Sequence, residues 1–246
     1  MRVMRSDTPQ AFASAAADYL ADQLSRNPRS ALALPSGNTP LGLYAEIVSR
    51  CASGAMSLTE TWIFNLDEYC GLAATDARSY GAFLRRHLIA PLGLASDRVR
   101  LLRGDAADLN AECRYYDAAI TACGGIDVCV LGLGSNGHIA FNEPGASWDQ
   151  RTHVARLAQS TRAAHSSQAG GDWRIPTHGI TMGIRTLREA RHVLLLVAGV
   201  HKQEARAALE RGVKDPNWPV TSLLEHPSLT VIELCAPGLC APGDPR

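Results

Sequence analysis

The chain has no surplus of charge of either sign: 24 Lys and Arg balance 24 Asp and Glu. That balance argues against a general electrostatic nucleic-acid binder, although a local patch can hide in a neutral total. No apolar run approaches the roughly 20 residues that a membrane-spanning helix needs. The N-terminus, MRVMRSDTPQAF, carries neither an apolar run nor a small-residue cleavage site, which argues against a signal peptide. Cysteines are present at 51, 70, 113, 123, 129, 235 and 240, but no pair has CxxC spacing. Without that spacing a structural zinc site is not expected, and the odd count reads as thiols in a reducing cytosol. The expectation is a cytoplasmic chain with no nucleic-acid partner, no membrane partner and no metal.

What is present is material for a core. Of 246 residues 46% are apolar, enough for one large α/β domain or two small ones. Strand-like and helix-like segments alternate. Residues 8–26 show helical periodicity, with Thr8 as N-cap and Pro9 at the first helical position. ALALPSGNTP (31–40) reads as a short buried strand running into a turn. LGLYAEIVSRC (41–51) reads as a helix capped by Thr39, with Pro40 at its first position. TWIFNLDEY (61–69) is strand-like, and residues 79–92 and 109–123 have the pattern of amphipathic helices. IDVCVLGLG (126–134) and HVLLLVAG (192–199) show the continuous apolar order of buried parallel strands. A helix follows at 201–212, and LTVIEL (229–234) is the last strand. Strands interleaved with helices predict an α/β, Rossmann-like fold, a mainly parallel twisted sheet with helices on both faces. No repeat or linker divides the chain, so residues 1–246 are expected to form a single domain. The less regular residues 145–178 are the expected lid over a site, and the Pro/Gly-rich residues 236–246 are expected to be a flexible tail.

In open parallel sheets, ligands collect at the carboxyl ends of the strands, so the polar residues there are the candidates. In LPSGNTPLGLY a turn containing Gly37 opens a helix whose free N–H groups suit an anion, and Ser36, Asn38 and Thr39 add side-chain donors. The loop is not a Walker motif. Its other reading is an ordinary, well-capped turn. In FNLDEY, Asp67 and Glu68 follow apolar strand residues. Successive residues of an extended chain point oppositely, so at most one faces a given cleft. A carboxylate at a partly desolvated strand end can act as a base; a solvated loop acid or helix cap is the alternative.

LGLGSNGHIAFNEPG (131–145) is the densest candidate. Gly132, Gly134 and Gly137 permit tight turning and close backbone approach. His138 is the side chain best suited to moving protons near neutral pH. Asn136 and Glu143 are near enough in sequence to fix its tautomer, and a structural core histidine is the competing reading. Lys202 opens a helix, where a cation opposes the macrodipole. That placement is easier to understand if Lys202 faces an anion than if it is merely solvated.

These segments, together with SYGAFLRRHL, THGITMGI and AGVHKQEA, stand in the order seen in glucosamine-6-phosphate deaminases, which the chain resembles over about residues 30–235. GHIAFNEP is the most specific phrase, because the related 6-phosphogluconolactonases keep the GH and continue differently. The resemblance implies a cofactor-free aldose–ketose isomerisation with loss of ammonia, glucosamine 6-phosphate becoming fructose 6-phosphate. It implies Asp67 as the base that moves the C2 proton, and His138 as the ring-opening group, assisted by Asn136 and Glu143. It implies that Ser36, Gly37, Asn38, Thr39 and Lys202 hold the phosphate of an amino sugar phosphate. The chemistry agrees: ring opening and C2 proton transfer call for separate proton carriers, and the phosphate gives remote binding energy for orientation.

Four positions depart from the family pattern. Asn136 is an amide where some members carry Asp, which leaves Glu143 as the only anion expected to support a charged His138. His153 and Ala155 stand where allosterically regulated members carry basic residues, so no strong activation by N-acetylglucosamine 6-phosphate is expected. Ser167 stands where the family shows an arginine for the substrate phosphate, with Arg174 as the candidate replacement. A 6-phosphogluconolactonase-like hydrolase and a non-catalytic sugar-phosphate-sensing module are the competing functions. The second usually carries an N-terminal DNA-binding helix pair, for which the segment before the first strand, taken to start near residue 31, leaves little room. The oligomeric state stays open, a homo-oligomer included.

Overall fold

The computed structural model describes residues 1–169 and 173–235. Its strands are β1 (Arg2–Ser6), β2 (Ala31–Leu34), β3 (Trp62–Asn65), β4 (Asp67–Tyr69), β5 (Val99–Arg100), β6 (Val128–Gly132), β7 (His153–Arg156), β8 (His178–Thr181), β9 (His192–Ala198) and β10 (Leu229–Leu234). Its helices are α1 (Pro9–Arg26), α2 (Leu41–Ala52), α3 (Tyr80–Leu84), α4 (Leu109–Ala122), α5 (Gln159–Ala169), α6 (Ile184–Arg188) and α7 (Gln203–Glu210). Seven strands form one sheet in the order β1-β10-β9-β6-β2-β3-β5. Its pairings are all parallel, as strands joined by helical crossovers require.

Alternation along the buried strands divides the core between the two faces of this sheet. Leu32, Leu34, Ile63, Val128, Val130, Leu194 and Leu196 pack with α1, α2 and α3 through residues such as Phe12, Leu20, Tyr44, Ile47 and Leu84. Ala31, Ala33, Phe64, Cys129, Leu131, Val193 and Leu195 pack with α4, α6 and α7 through Tyr116, Ile120, Leu187 and Leu209. The expected helices on both faces are present. Burying both faces is what makes these strands read as continuous apolar runs.

Several boundaries differ from the sequence reading. Strand-like TWIFNLDEY breaks at Leu66: β3 stays in the large sheet, and β4 pairs antiparallel with β8 in a separate sheet of order β4-β8-β7. A strand precedes α1, because β1 covers the edge of β10; the first strand therefore lies at Arg2–Ser6, not near residue 31. Residues 145–178 are more regular than expected, holding β7 and α5. The helix expected over 79–92 is α3 continued by a π-helical turn at Arg85–Ile89, and the helix expected at 201–212 is a 3-10 turn, Val200–Lys202, followed by α7. Cys51, Cys70, Cys113, Cys123 and Cys129 are free thiols, but Cys235 is disulfide-bonded, against the reading of every cysteine as a thiol. The tail at 236–246 lies outside the described residues. No helix among the described residues is long and apolar enough to cross a membrane.

Candidate active site

Four neighbouring strands, β9-β6-β2-β3, send their carboxyl-end loops to one cavity of about 790 Å³. From β2 the chain builds outward through β3 to β5. From β6 it builds the other way through β9 to β10. The loops after β2 and β6 therefore part at the switch point of the sheet, where open α/β folds place ligands.

The loop after β2 brings Ser36, Gly37, Asn38 and Thr39 to the cavity wall. Gly37 takes a backbone conformation (φ 99°) that other residues rarely adopt. The expected capping by Thr39 is not observed. Helix α2 starts at Leu41, with Pro40 at the cap position and no side-chain capping bond. Thr39 lines the cavity instead. Ser36 Oγ is buried and has no hydrogen-bond partner among the described residues. A buried hydroxyl left unpaired costs free energy unless a ligand or water completes it. Lys202 joins the same wall from the turn after β9. Burial lowers its pKa. The loop and the lysine together form an anion-suited end of the cavity.

Asp67 lies where the chain leaves β3 and enters β4. Its platform is rigid: Asn65 Nδ2 donates to Asp67 O at 2.8 Å, Asn65 Oδ1 accepts from Leu102 N, and the Tyr116 hydroxyl donates to Asn65 O at 2.6 Å. Burial, followed by the neighbouring charge of Glu68, pushes the Asp67 carboxyl up to about 8. The two acids divide as the extended backbone requires. Asp67 lines the cavity, whereas Glu68 accepts from Tyr69 N, Tyr80 N and Gly81 N and so fastens the start of α3.

His138 lies in the loop after β6. That loop closes on itself through Gly134 N to His138 O (2.9 Å) and Gly137 N to Gly134 O (3.0 Å). A Cβ on Gly134 would stand 2.2 Å from His138 Nδ1, so the imidazole occupies space that only glycine leaves. Asn136 Nδ2 donates to Glu143 Oε2 at 2.8 Å, which turns its Oδ1 toward the imidazole; the Nδ1–Oδ1 distance is 2.7 Å. Amide orientation and tautomer follow from this network: His138 carries its proton on Nδ1, and Nε2 is the basic nitrogen. Burial, then the charge of Lys202, pulls the imidazole down to about 4, so it is neutral at physiological pH. Glu143 acts on it mainly through Asn136, since its Oε2 is 3.7 Å from Nδ1. The other Glu143 oxygen accepts from Ala158 N at 3.0 Å, at the start of α5.

Thus Asp67, His138, Ser36–Thr39 and Lys202 share one cavity, with Asn136 and Glu143 supporting His138. Arg174 is exposed and is not among the lining residues. Ser167 is also exposed, its hydroxyl bonded to Ala163 O within α5. Residues that sequence reasoning did not single out line the wall instead: Tyr69, Arg78, Arg86, His165 and Trp173. The signal for His165 was its four-residue spacing from Thr161, which places both on one helix face; Thr161 Oγ1 is 3.4 Å from His138 Nδ1. Among the described residues no cluster of His, Cys, Asp and Glu is arranged to hold a metal.

An anion-suited loop that shares a cavity with a buried carboxyl and a buried imidazole at the switch point of a parallel sheet defines an α/β protein with a polar ligand cleft. More specifically, the chain belongs to the family described as Glucosamine-6-phosphate isomerases/6-phosphogluconolactonase, which residues 5–231 match. It is 37% identical over 232 residues to a glucosamine-6-phosphate deaminase of Lysinibacillus sphaericus, covering 94% of this chain and 98% of that protein. It is 39% identical over 233 residues to one of Mycolicibacterium smegmatis, covering 94% and 89%. Its fold superposes on a monomeric glucosamine-6-phosphate deaminase with a TM-score of 0.92 and 34% identity, covering 95% of this chain and 97% of that one. A 6-phosphogluconolactonase from Thermotoga maritima shares the fold at a TM-score of 0.74 and 17% identity.

Proposed function

We propose that the protein converts glucosamine 6-phosphate and water to fructose 6-phosphate and ammonia. The phosphate binds at Ser36–Thr39 and Lys202, and its binding energy orients the sugar. Neutral His138 removes the C1 hydroxyl proton through Nε2 and returns a proton to the ring oxygen, which opens the pyranose. Asp67 then takes the C2 proton and delivers it to C1 through an enediol-type intermediate that carries the amine, while a proton passes from the amine nitrogen to O1. Water hydrolyses the resulting C2 imine, and ammonia leaves. Asn136 holds the Nδ1–H tautomer of His138 throughout, and Glu143 holds Asn136.

The observation that carries this reading is the pairing, in one cavity, of a carboxyl raised to about 8 with an imidazole lowered to about 4. Opposed shifts of this kind separate two proton-transfer roles near neutral pH. The relatives named as deaminases support the choice of substrate. The chemistry asks for no metal or cofactor. The test is to incubate the protein separately with glucosamine 6-phosphate, galactosamine 6-phosphate and 6-phosphogluconolactone. Ammonia and ketose 6-phosphate in equal amounts from the first are expected. Lactone hydrolysis without ammonia release from either amino sugar would overturn the proposal.

A further inference from the structure

We propose that His165 is a specificity-determining residue, a hydrogen-bond donor that Tyr69 locks in place and that recognises a hydroxyl of the sugar through Nε2. The inference rests on the proposed amino sugar phosphate reaction but concerns a residue with no part in that scheme. Among the described side chains of α5, His165 lines the cavity. Its Nδ1 lies 2.6 Å from the Tyr69 hydroxyl, which lies 3.1 Å from the Tyr80 hydroxyl. Of this pair the phenol is the more acidic donor and the imidazole nitrogen the more basic acceptor. Tyr69 therefore donates to Nδ1, and Tyr80, 3.4 Å from the same nitrogen, donates to Tyr69. Burial raises both phenols above their ordinary pKa, so each keeps its proton. The relay leaves the proton of the imidazole on Nε2.

The ring is fixed on its flanks as well. It stands edge-on to Tyr69 and is tilted against Phe141, with centroids 6.2 and 6.1 Å away. The His138 ring is 6.5 Å away. Burial, then His138, holds His165 down at about 4, with Lys202 pushing the same way and Glu143 opposing. The imidazole is thus an uncharged donor beside the proton-transfer end of the cavity. A phosphate is better matched by the Ser36–Thr39 loop and Lys202; a neutral N–H matches a sugar hydroxyl.

Five proteins test the inference: wild type, His165→Phe, His165→Gln, Tyr69→Phe and the double variant Tyr69→Phe/His165→Phe. The measurements are kcat and KM for glucosamine 6-phosphate and the inhibition constant of inorganic phosphate. Loss of one neutral hydrogen bond is expected to lower kcat/KM of His165→Phe by roughly ten-fold, with phosphate inhibition unchanged. His165→Gln keeps a donor near Nε2 and recovers most of the loss. Combining Tyr69→Phe with His165→Phe costs no more than His165→Phe alone. A His165→Phe enzyme within about two-fold of wild type, or a phosphate inhibition constant that rises with KM, overturns the proposal while leaving the proposed reaction intact. Long-range ¹H–¹⁵N spectra of the wild type provide a readout independent of turnover. They are expected to show His165 protonated on Nε2 alone at neutral pH, with that resonance moving when glucosamine 6-phosphate is added. An Nδ1–H tautomer, an imidazolium, or an Nε2 resonance indifferent to the sugar phosphate overturns it.

Discussion

Asn136 Oδ1 sits 2.7 Å from His138 Nδ1, and Asn136 Nδ2 sits 2.8 Å from Glu143 Oε2. The amide is a one-way connector that accepts from the imidazole and donates to the carboxylate. Glu143 in turn accepts from two N–H groups, Asn136 Nδ2 and Ala158 N. An amide at 143 presents only one oxygen for those two donors.

Glu143→Gln is therefore expected to slow ring opening by roughly ten- to hundred-fold, since it removes charge and leaves a partly buried donor unpaired. Asn136→Asp keeps the acceptor facing His138 and is expected to cost less. Pre-steady-state ring-opening rates compare the two directly. A Glu143→Gln rate near the wild type contradicts the assignment of Glu143 as the support of Asn136.

In the proposed reaction Asp67 can take a proton only when ionised, and burial pushes its pKa up to about 8. The free-enzyme kcat/KM is expected to rise with pH through that value. Stability runs the other way. Because the folded pKa lies above the ordinary 3.8, the folded state binds more protons than the unfolded state between 3.8 and about 8, and stability falls as pH rises through that window. Asp67→Asn removes the effect. It is expected to raise Tm at alkaline pH more than at acid pH, as calorimetry across the window checks.

His138 has the opposite linkage. Its folded pKa of about 4 lies below the ordinary 6.5, so its contribution to stability is complete above 6.5 and is lost as pH falls toward 4. His138→Gln is expected to flatten the acid limb of a Tm–pH curve. An unchanged acid limb places the imidazole in water instead.

At the anion-suited end, Lys202→Met and Ser36→Ala are expected to raise KM, the lysine by roughly ten- to hundred-fold for loss of a charge-assisted contact. Arg174 is exposed and does not line the cavity as its neighbour Trp173 does, so Arg174→Ala is expected to leave KM unchanged. Steady-state kinetics separate these outcomes.

Gly134→Ala tests the loop geometry. A Cβ there meets the His138 ring at 2.2–2.5 Å, so the imidazole must move, and a displaced catalytic group typically loses about a hundred-fold in rate. Activity is expected to fall while far-UV circular dichroism is unchanged. Full activity in Gly134→Ala shows that the ring is not held there.

The parts legible in the sequence share one cause. Strands β2, β6 and β9 are buried on both faces, so their apolar runs stand out, and the polar residues just past them mark the cavity: Ser36–Thr39, Asn136 with His138, and Lys202. The short strands carry a weaker local pattern. β1 is an edge strand with Arg2 and Val3 exposed, and β4 is the acidic DEY, whose antiparallel pairing with distant β8 no local pattern encodes. Helix α5, QSTRAAHSSQA, has almost no apolar face, so its segment reads as irregular and His165 does not stand out in it. Its facing toward the cavity depends on Tyr69, nearly a hundred residues away.

The central claim is that Asp67 moves a proton between C2 and C1 of an amino sugar phosphate. It is tested most directly by following glucosamine 6-phosphate in D₂O by NMR, with wild type and Asp67→Asn side by side. Wild type is expected to release ammonia and to form fructose 6-phosphate carrying deuterium at C1, to the extent that the carboxyl exchanges its proton. Asp67→Asn is expected to do neither, its loss spanning roughly the hundred- to ten-thousand-fold of a missing general base. Ammonia release by Asp67→Asn at a rate close to wild type contradicts the account.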